Sequence, residues 1–339
     1  MLFQSKFIAS LLCVFMLGIY QMAQAETIQL AQQPLSTITI QHDTLFPESI
    51  SYNPLNQRFV VGSFRHGAVY EVDANGRTRK IIDDNRLRSV LAVRIDTAHH
   101  RLLALSSDLG ASTRSDTATV KQFAVLGIYD LHTGKVLQFV DLSHLLPNTL
   151  HLVNGMTLDS AGNAYITDSF AAAIYKVTLN GVPSVFLQDD AFDGKGINLN
   201  GIVYHPDGYL LAVNKSSGVL FKIPLQNPKA FSAVKIGEKF IGADGVILSG
   251  SNNIIVIANR VPQHNTDAAF GLFSADAWAS ATVTGRYAFG DVYPTTGALQ
   301  DHKIFALHSK LNTLIAAPAE DKATLRQKAV IEQIGVIAP

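Results

Sequence analysis

Three dipeptides, Asn154-Gly155, Asn200-Gly201 and Asp244-Gly245, each open an alternating apolar run, and they stand 46 and 44 residues apart. One unit is being laid down repeatedly. Aligned on these dipeptides, NGMTLDSAGNAYITDS from Asn154 matches NGIVYHPDGYLLAVNK from Asn200, and ESISYNPLNQRFVVGS from Glu48 fits without a gap. The first position of the unit is therefore Glu48, Asn154, Asn200 and Asp244. A period of about 40 to 50 residues made of short strands and turns predicts an all-β fold of propeller blades rather than a helical solenoid.

One unit shows how the strands arise. Met156 and Leu158 alternate with smaller or polar residues, 159–163 turns, and 164–167 returns. Residues 173–178 and 184–187 follow, separated by the hairpin signal Asn180-Gly181. That makes four antiparallel strands. The same order recurs from Gly201, and further blades begin at Glu48, at 89–91, at Asp244 and at Thr296-Gly297, which predicts a single six-bladed β-propeller over residues 26–339. Residues 38–40 and 329–336 remain to complete the last blade and close the ring, removing exposed edges. Two stretches interrupt the rhythm. Residues 106–122, rich in Ser, Thr and Asp, read as a binding loop or a solvated one, and 259–278, more apolar and containing Phe270, are expected to cover one mouth of the channel.

The chain starts with Lys6, an apolar stretch over 7–20, and Ala23-Gln24-Ala25 before Glu26. This is the pattern of a secretory signal peptide, residues 1–25, cut after Ala25, and it predicts a secreted or periplasmic protein. The 14 apolar residues fall short of the roughly 18 needed for a membrane span, and no later segment comes closer. Cys13, the only cysteine, leaves with the signal, so no intrachain disulfide is expected. Acidic and basic side chains balance at 27 each, with no run of Lys or Arg. That argues against a nucleic-acid or anionic-membrane footprint and for small-molecule partners.

The first strand of each propeller blade lines the central axis, so equivalent positions converge. Glu48, Asn154, Asn200 and Asp244 would then bring two carboxylates and two amide oxygens together. Such an all-oxygen set suits a hard divalent cation, Ca²⁺ before others, because calcium tolerates irregular geometry completed by water. Without a cation, two carboxylates in a narrow tunnel repel each other. Asn-Gly and Asp-Gly are also turn signals, so each dipeptide alone reads equally as a hairpin.

The order Glu, Asn-Gly, Asn-Gly, Asp-Gly over successive blades, with the DSAGN turn and the ITDS segment, resembles the regucalcin/gluconolactonase superfamily, related to diisopropyl-fluorophosphatase, the paraoxonases and strictosidine-synthase-like proteins. The resemblance spans essentially the whole mature chain. It implies a calcium ion held by Glu48, Asn154, Asn200 and Asp244, with Asp244 as nucleophile or water-orienting base and Asn154 fixing metal and substrate. The expected activity is calcium-dependent hydrolysis of a lactone or another ester. Gluconolactonase-type members carry an Arg two residues before the central Asn, where this chain has Leu152, which turns the expectation away from sugar lactones. His151, Leu152, Phe170, Tyr293 and His302 are the expected pocket residues, with Phe270 as a further apolar neighbour. The alternative is a non-catalytic ligand-binding propeller with a structural calcium ion.

Overall fold

The computed structural model describes residues 26–262 and 264–338, and the signal-peptide reading of 1–25 lies outside them. Six small antiparallel sheets form six blades around a central axis. Their inner strands are Pro47–Asn53, Ser89–Asp96, Val153–Leu158, Leu199–His205, Ala243–Ser249 and Pro294–Gln300, at the blade starts expected from the repeat. Each inner strand is joined to the second strand of its blade by a short hairpin, and the remaining strands follow outward.

The ring closes as the leftover segments required. In blade six, Val330–Ala338 pairs with Lys303–His308 on one side. Its other side carries two short N-terminal strands, Ser36–Thr39 and Thr27–Leu30. The edge of the last blade is thus covered by the chain's own start, which leaves no long unpaired strand there.

Between neighbouring blades lie six apolar clusters, each drawn from two adjacent sheets. The middle strands of the blades are therefore covered on both faces, and Arg101–Ser107 and Asn253–Ala258 are buried at every residue, whereas outermost strands such as Val136–Asp141 and Thr282–Ala288 are largely exposed. This burial hid one strand from the sequence pattern. Ala268–Phe273 is the third strand of blade five, inside the stretch read as an insertion. Its run Ala-Ala-Phe-Gly-Leu-Phe shows no alternation because both faces are covered. Phe270 packs on Phe240 in the core between blades four and five and does not reach the mouth.

The cover over the mouth comes from elsewhere. The short helix Leu311–Ala316 puts Leu311 and Leu314 against Phe46, Phe64, Leu91, Ala111 and Leu152. The other interruption, after Ser107, is ordered around the buried Asp108, which accepts from Gly110 N–H, Ser115 Oγ and Thr119 Oγ1 at 2.8, 2.6 and 2.7 Å. No described helix is long and apolar enough to cross a membrane.

Candidate functional site: a charged layer under a mouth cavity

Every inner strand slips register at the same phase. The breaks fall between Pro47 and Ser49, Val90 and Ala92, Val153 and Met156, Leu199 and Ile202, Ala243 and Gly245, and Pro294 and Gly297. A β-bulge re-aims the extra side chain, and here it does so six times toward the axis. Glu48, Leu91, Asn154, Asn200 and Asp244 stand at these bulges, and Thr295 is their counterpart in blade six. Glu48, Asn154, Asn200 and Asp244 line one central cavity of about 20 Å³, together with Arg94 and Thr296.

The glycines after three of these residues are explained by proximity rather than by turns. A Cβ on Gly155 would lie 2.2 Å from the Asn200 carbonyl oxygen, one on Gly201 2.4 Å from that of Asp244, and one on Gly245 2.7 Å from Thr296 Cα. The inner strands approach so closely that only hydrogen fits between them. The hairpin reading of the three dipeptides is thereby replaced, since all three lie inside inner strands.

A second ring sits one strand out, at the end of each blade's second strand: Phe64, Ser107, Ser169, Lys215, Asn259 and Ser309. Four of the six join their blade to the next one just ahead of its bulge. Ser107 Oγ accepts from Val153 N–H at 2.9 Å, and Ser169 Oγ donates to the Leu199 carbonyl at 2.5 Å. Asn259 Nδ2 donates to the Pro294 carbonyl and Ser309 Oγ to that of Pro47, both at 2.9 Å. Phe64 makes its contact through apolar packing. Lys215 alone carries charge, and it reaches past the backbone to the side chain of the next blade's bulge residue. Its Nζ donates to Asp244 Oδ2 at 2.6 Å and to Asn259 Oδ1 at 2.5 Å, and lies 5.6 Å from the centre of the Tyr293 ring. Asn259 Nδ2 also donates to Asp244 Oδ2.

The charges of this layer are set by burial and by one another. Burial, then the charge of Asp244, holds the Glu48 carboxyl well above the usual carboxylate range. Burial draws the Lys215 ammonium down, but Asp244 and then Tyr293 outweigh it and leave it raised, hence protonated. Burial lowers the Arg94 guanidinium to about 10, with Glu48 acting in the opposite sense, so it too stays charged near neutral pH. Tyr293 is raised chiefly by burial.

A divalent ion does not fit this arrangement as the side chains stand. The carboxylate of Asp244 is already paired with the Lys215 ammonium, and two cations, Lys215 and Arg94, flank the set. A dication 4 Å from the ammonium would be repelled by on the order of 8 kcal/mol at an effective dielectric of about 20. Among the described residues no three His, Cys, Asp or Glu side chains gather for a metal.

Above the charged layer opens a cavity of about 1120 Å³. Lys195, Lys215, Ser217, Arg260, Tyr293 and Asn312 supply its polar lining, and Ile197, Ile241, Val261 and Pro262 its apolar one. Ser217 Oγ and Asn312 Oδ1 are buried without a hydrogen-bond partner. Tyr293 is held by Asp267, whose Oδ2 accepts the Val292 and Tyr293 N–H groups at 3.0 and 2.9 Å and whose side chain pairs with Arg260. Its φ of 56° is uncommon for a bulky residue and swings the ring toward the mouth. Phe46 does the same in blade one at φ 45°, and both precede a proline that opens the inner strand.

Of the residues expected in the pocket, Leu152, Phe170 and Tyr293 meet in the apolar cluster at the mouth, and Tyr293 also lines the large cavity. His151 turns inward. Its Nδ1 lies 2.7 Å from Asp168 Oδ2, which also accepts from Tyr175 OH at 3.1 Å, so this histidine belongs to a buried structural network. His302 sits exposed in the hairpin between the first two strands of blade six, at the end of those strands opposite Pro294 and His308. It takes no part in the site. Lys215 and Asn259 are the residues that sequence reasoning missed, although Lys215 closes the window aligned from Asn200 in the place where Ser169 closes the one from Asn154.

No protein-family model matches the chain, and no curated protein matches it in sequence. Solved structures do. The major Malassezia sympodialis allergen Mala s 1 aligns over 90% of this chain and 96% of its own, with a TM-score of 0.67 at 17% identity. Regucalcin from Agrobacterium tumefaciens strain C58, described as a calcium-binding protein, aligns over 92% and 95%, with a TM-score of 0.60 at 15% identity. Virginiamycin B lyase from Staphylococcus aureus aligns over 91% and 99%, with a TM-score of 0.53 at 11% identity. At these identities the likeness is one of fold. The chain is a six-bladed β-propeller, and its chemistry has to be argued from its own side chains.

Proposed function

We propose that the protein is a ligand-binding propeller that takes a small organic molecule with an acidic or oxygen-rich end into the mouth cavity. The observation that carries this reading is the position of Lys215, which lines the cavity while its ammonium sits in the charged layer beneath. Lys195 adds positive charge beside the carboxylate of Asp193, Arg260 brings a guanidinium already paired with Asp267 and Asp291, and Ile197, Ile241 and Val261 offer apolar surface to the rest of the ligand. A large concave site with few polar groups at one end is the usual form of a small-molecule pocket. Thermal-shift and calorimetric screening of amphiphilic carboxylates, lactones and esters tests it. A binder should raise the melting temperature of the wild type and lose affinity in Asn312→Leu, which fills the cavity without touching the charged layer. A panel that leaves both proteins unmoved would sink the reading.

A second reading, hydrolysis of a lactone or another ester with Asp244 as nucleophile or water-orienting base, is supported by the convergence of Glu48, Asn154, Asn200 and Asp244 on one cavity. Its calcium-dependent form draws further support from the fold shared with regucalcin, but it requires the Lys215 ammonium to leave Asp244. Assays of lactones, aryl esters and phosphotriesters with and without chelator separate the two. Chelator-sensitive turnover that vanishes in Asp244→Asn would establish the hydrolase and displace the simple binder. Secretion belongs to either reading, and a purified native protein starting at Glu26 would bear it out, whereas one retaining Met1 would overturn it.

A further inference from the structure

Six equivalent ring positions offer an internal control for what a residue does at this place in the fold. Ser107, Ser169, Asn259 and Ser309 make neutral bonds to backbone groups of the next blade, so inter-blade bonding at this position needs no charge. Lys215 therefore does something else. It buries an ammonium, 5% exposed at the side chain, against a carboxylate that is 7% exposed. A buried ammonium requires compensation for lost hydration, and this one finds it in Asp244 Oδ2, Asn259 Oδ1 and the face of Tyr293. These are the partners that a bound cation would want: a carboxylate oxygen and an amide oxygen from blade five, beside the oxygens of Asn200 and Glu48 in the same layer.

We propose that the ammonium of Lys215 is the resident cation of this tunnel, tethered by the chain in place of a divalent ion. The wild-type site therefore neither takes up nor depends on Ca²⁺, and removal of the amine alone uncovers a calcium site. This goes beyond the ligand-binding reading and does not rest on it, because it concerns the layer beneath the cavity.

The experiment uses Ca²⁺ itself as the probe. Melting curves in chelator and in millimolar Ca²⁺, with calcium binding followed by equilibrium dialysis, would be compared for wild type, Lys215→Ser, Lys215→Arg and Lys215→Ser combined with Asp244→Asn. Serine is chosen because Ser169 and Ser309 already occupy this ring. Wild type and Lys215→Arg should melt at the same temperature in both solutions and bind no ion at the site. Lys215→Ser should melt lower in chelator, recover in Ca²⁺ and bind one ion at least roughly tenfold more tightly than wild type. The added Asp244→Asn should abolish that gain. A Lys215→Ser protein that folds only when calcium is supplied also supports the proposal. Stoichiometric uptake of one ion by the wild type, lost on Asp244→Asn, would overturn it, as would a Lys215→Ser protein that folds yet stays indifferent to calcium.

Discussion

The two halves of the tunnel ring share a backbone and differ in chemistry. Where blade four meets blade five, the ring residue is Lys215 and the bulge residue it reaches is Asp244, joined by an ion pair and closed over by Asn259. Where blade one meets blade two, the ring residue is Phe64 and the bulge residue is Leu91, and both belong to one apolar cluster under the helix Leu311–Ala316. The bulge and the strand register are alike at both places. The difference teaches that the scaffold delivers side chains to the axis regardless of their nature, and that Lys215 is the one charged residue among the six ring positions, while Glu48 and Arg94 bring charge to the same cavity from the inner strands of blades one and two. At the junction of blades one and two the ring and bulge positions are instead apolar and buried, packed under the helix rather than lining the large cavity.

The largest expected effect comes from breaking the pair in the charged sector. Asp244→Ala leaves the Lys215 ammonium buried without its carboxylate and should cost about 3–5 kcal/mol, read from chemical denaturation. Lys215→Met does the converse and should cost a similar amount. The two changes together remove both charges, so Asp244→Ala combined with Lys215→Met should cost much less than the sum, with a coupling of about 2 kcal/mol in the cycle. Additive losses would mean that the two side chains act independently and that the contrast between the halves is only compositional.

The matched change in the apolar sector is smaller. Leu91→Ala removes a side chain that is 3% exposed and packed on Phe46 and Phe64. It should cost about 2–3 kcal/mol, toward the lower end for a buried leucine, since the adjoining mouth lets neighbours relax. Paired with a distant core change it should be additive, because no charge is stranded. A Leu91→Ala loss equal to that of Asp244→Ala would remove the asymmetry between the two junctions.

The fold could be read along the chain because its evidence is periodic: the dipeptides at Asn154, Asn200 and Asp244 mark three inner strands, and Glu48 shares their phase. The convergence of these four residues was legible for the same reason. What they do together was not, because the partner that decides it comes from a different column of the repeat. Lys215 ends its aligned window as an unremarkable surface-type residue, and only closure of the ring brings its amine onto the next blade's carboxylate. The gap-free alignment also conceals a slip. Ser63 closes the window from Glu48, yet it is Phe64 that stands in the Ser169 and Lys215 ring, since Ser63 pairs with Pro47 as Asp168 does with Val153. The two histidines failed for geometric reasons: His302 lies seven residues beyond the blade-six bulge position Thr295, at the far end of a hairpin, and His151, though at the mouth end, is claimed by Asp168.

The smallest effect sharpens the comparison through pH. While the charged sector keeps Lys215 protonated, blade one keeps its own titratable group neutral: burial, followed by the nearby His42, lowers His66 to about 4. Arg65, Lys80 and Arg114 add to the lowering, and Thr44 Oγ1 lies 2.9 Å from His66 Nε2. The folded pKa is thus below the unfolded value of about 6.5. Between those two values the unfolded chain binds a proton that the folded chain does not, so stability is highest above pH 6.5 and falls as the pH drops toward 4. His42 is lowered too, chiefly by burial, and acts in the same direction. Carboxylates whose pKa is depressed, such as Asp83 with its Lys80 and Arg114 partners, lose their contribution only below about pH 4, and Glu48, whose carboxyl is raised, acts in the opposite sense to the histidines but equally in both proteins compared. His66→Gln keeps a polar partner for Thr44 and cannot charge, so its melting temperature should decline less between pH 6.5 and 4.5 than that of the wild type. Equal slopes for the two proteins would show that His66 already titrates normally in the fold, and that blade one tolerates charge as readily as the sector around Lys215.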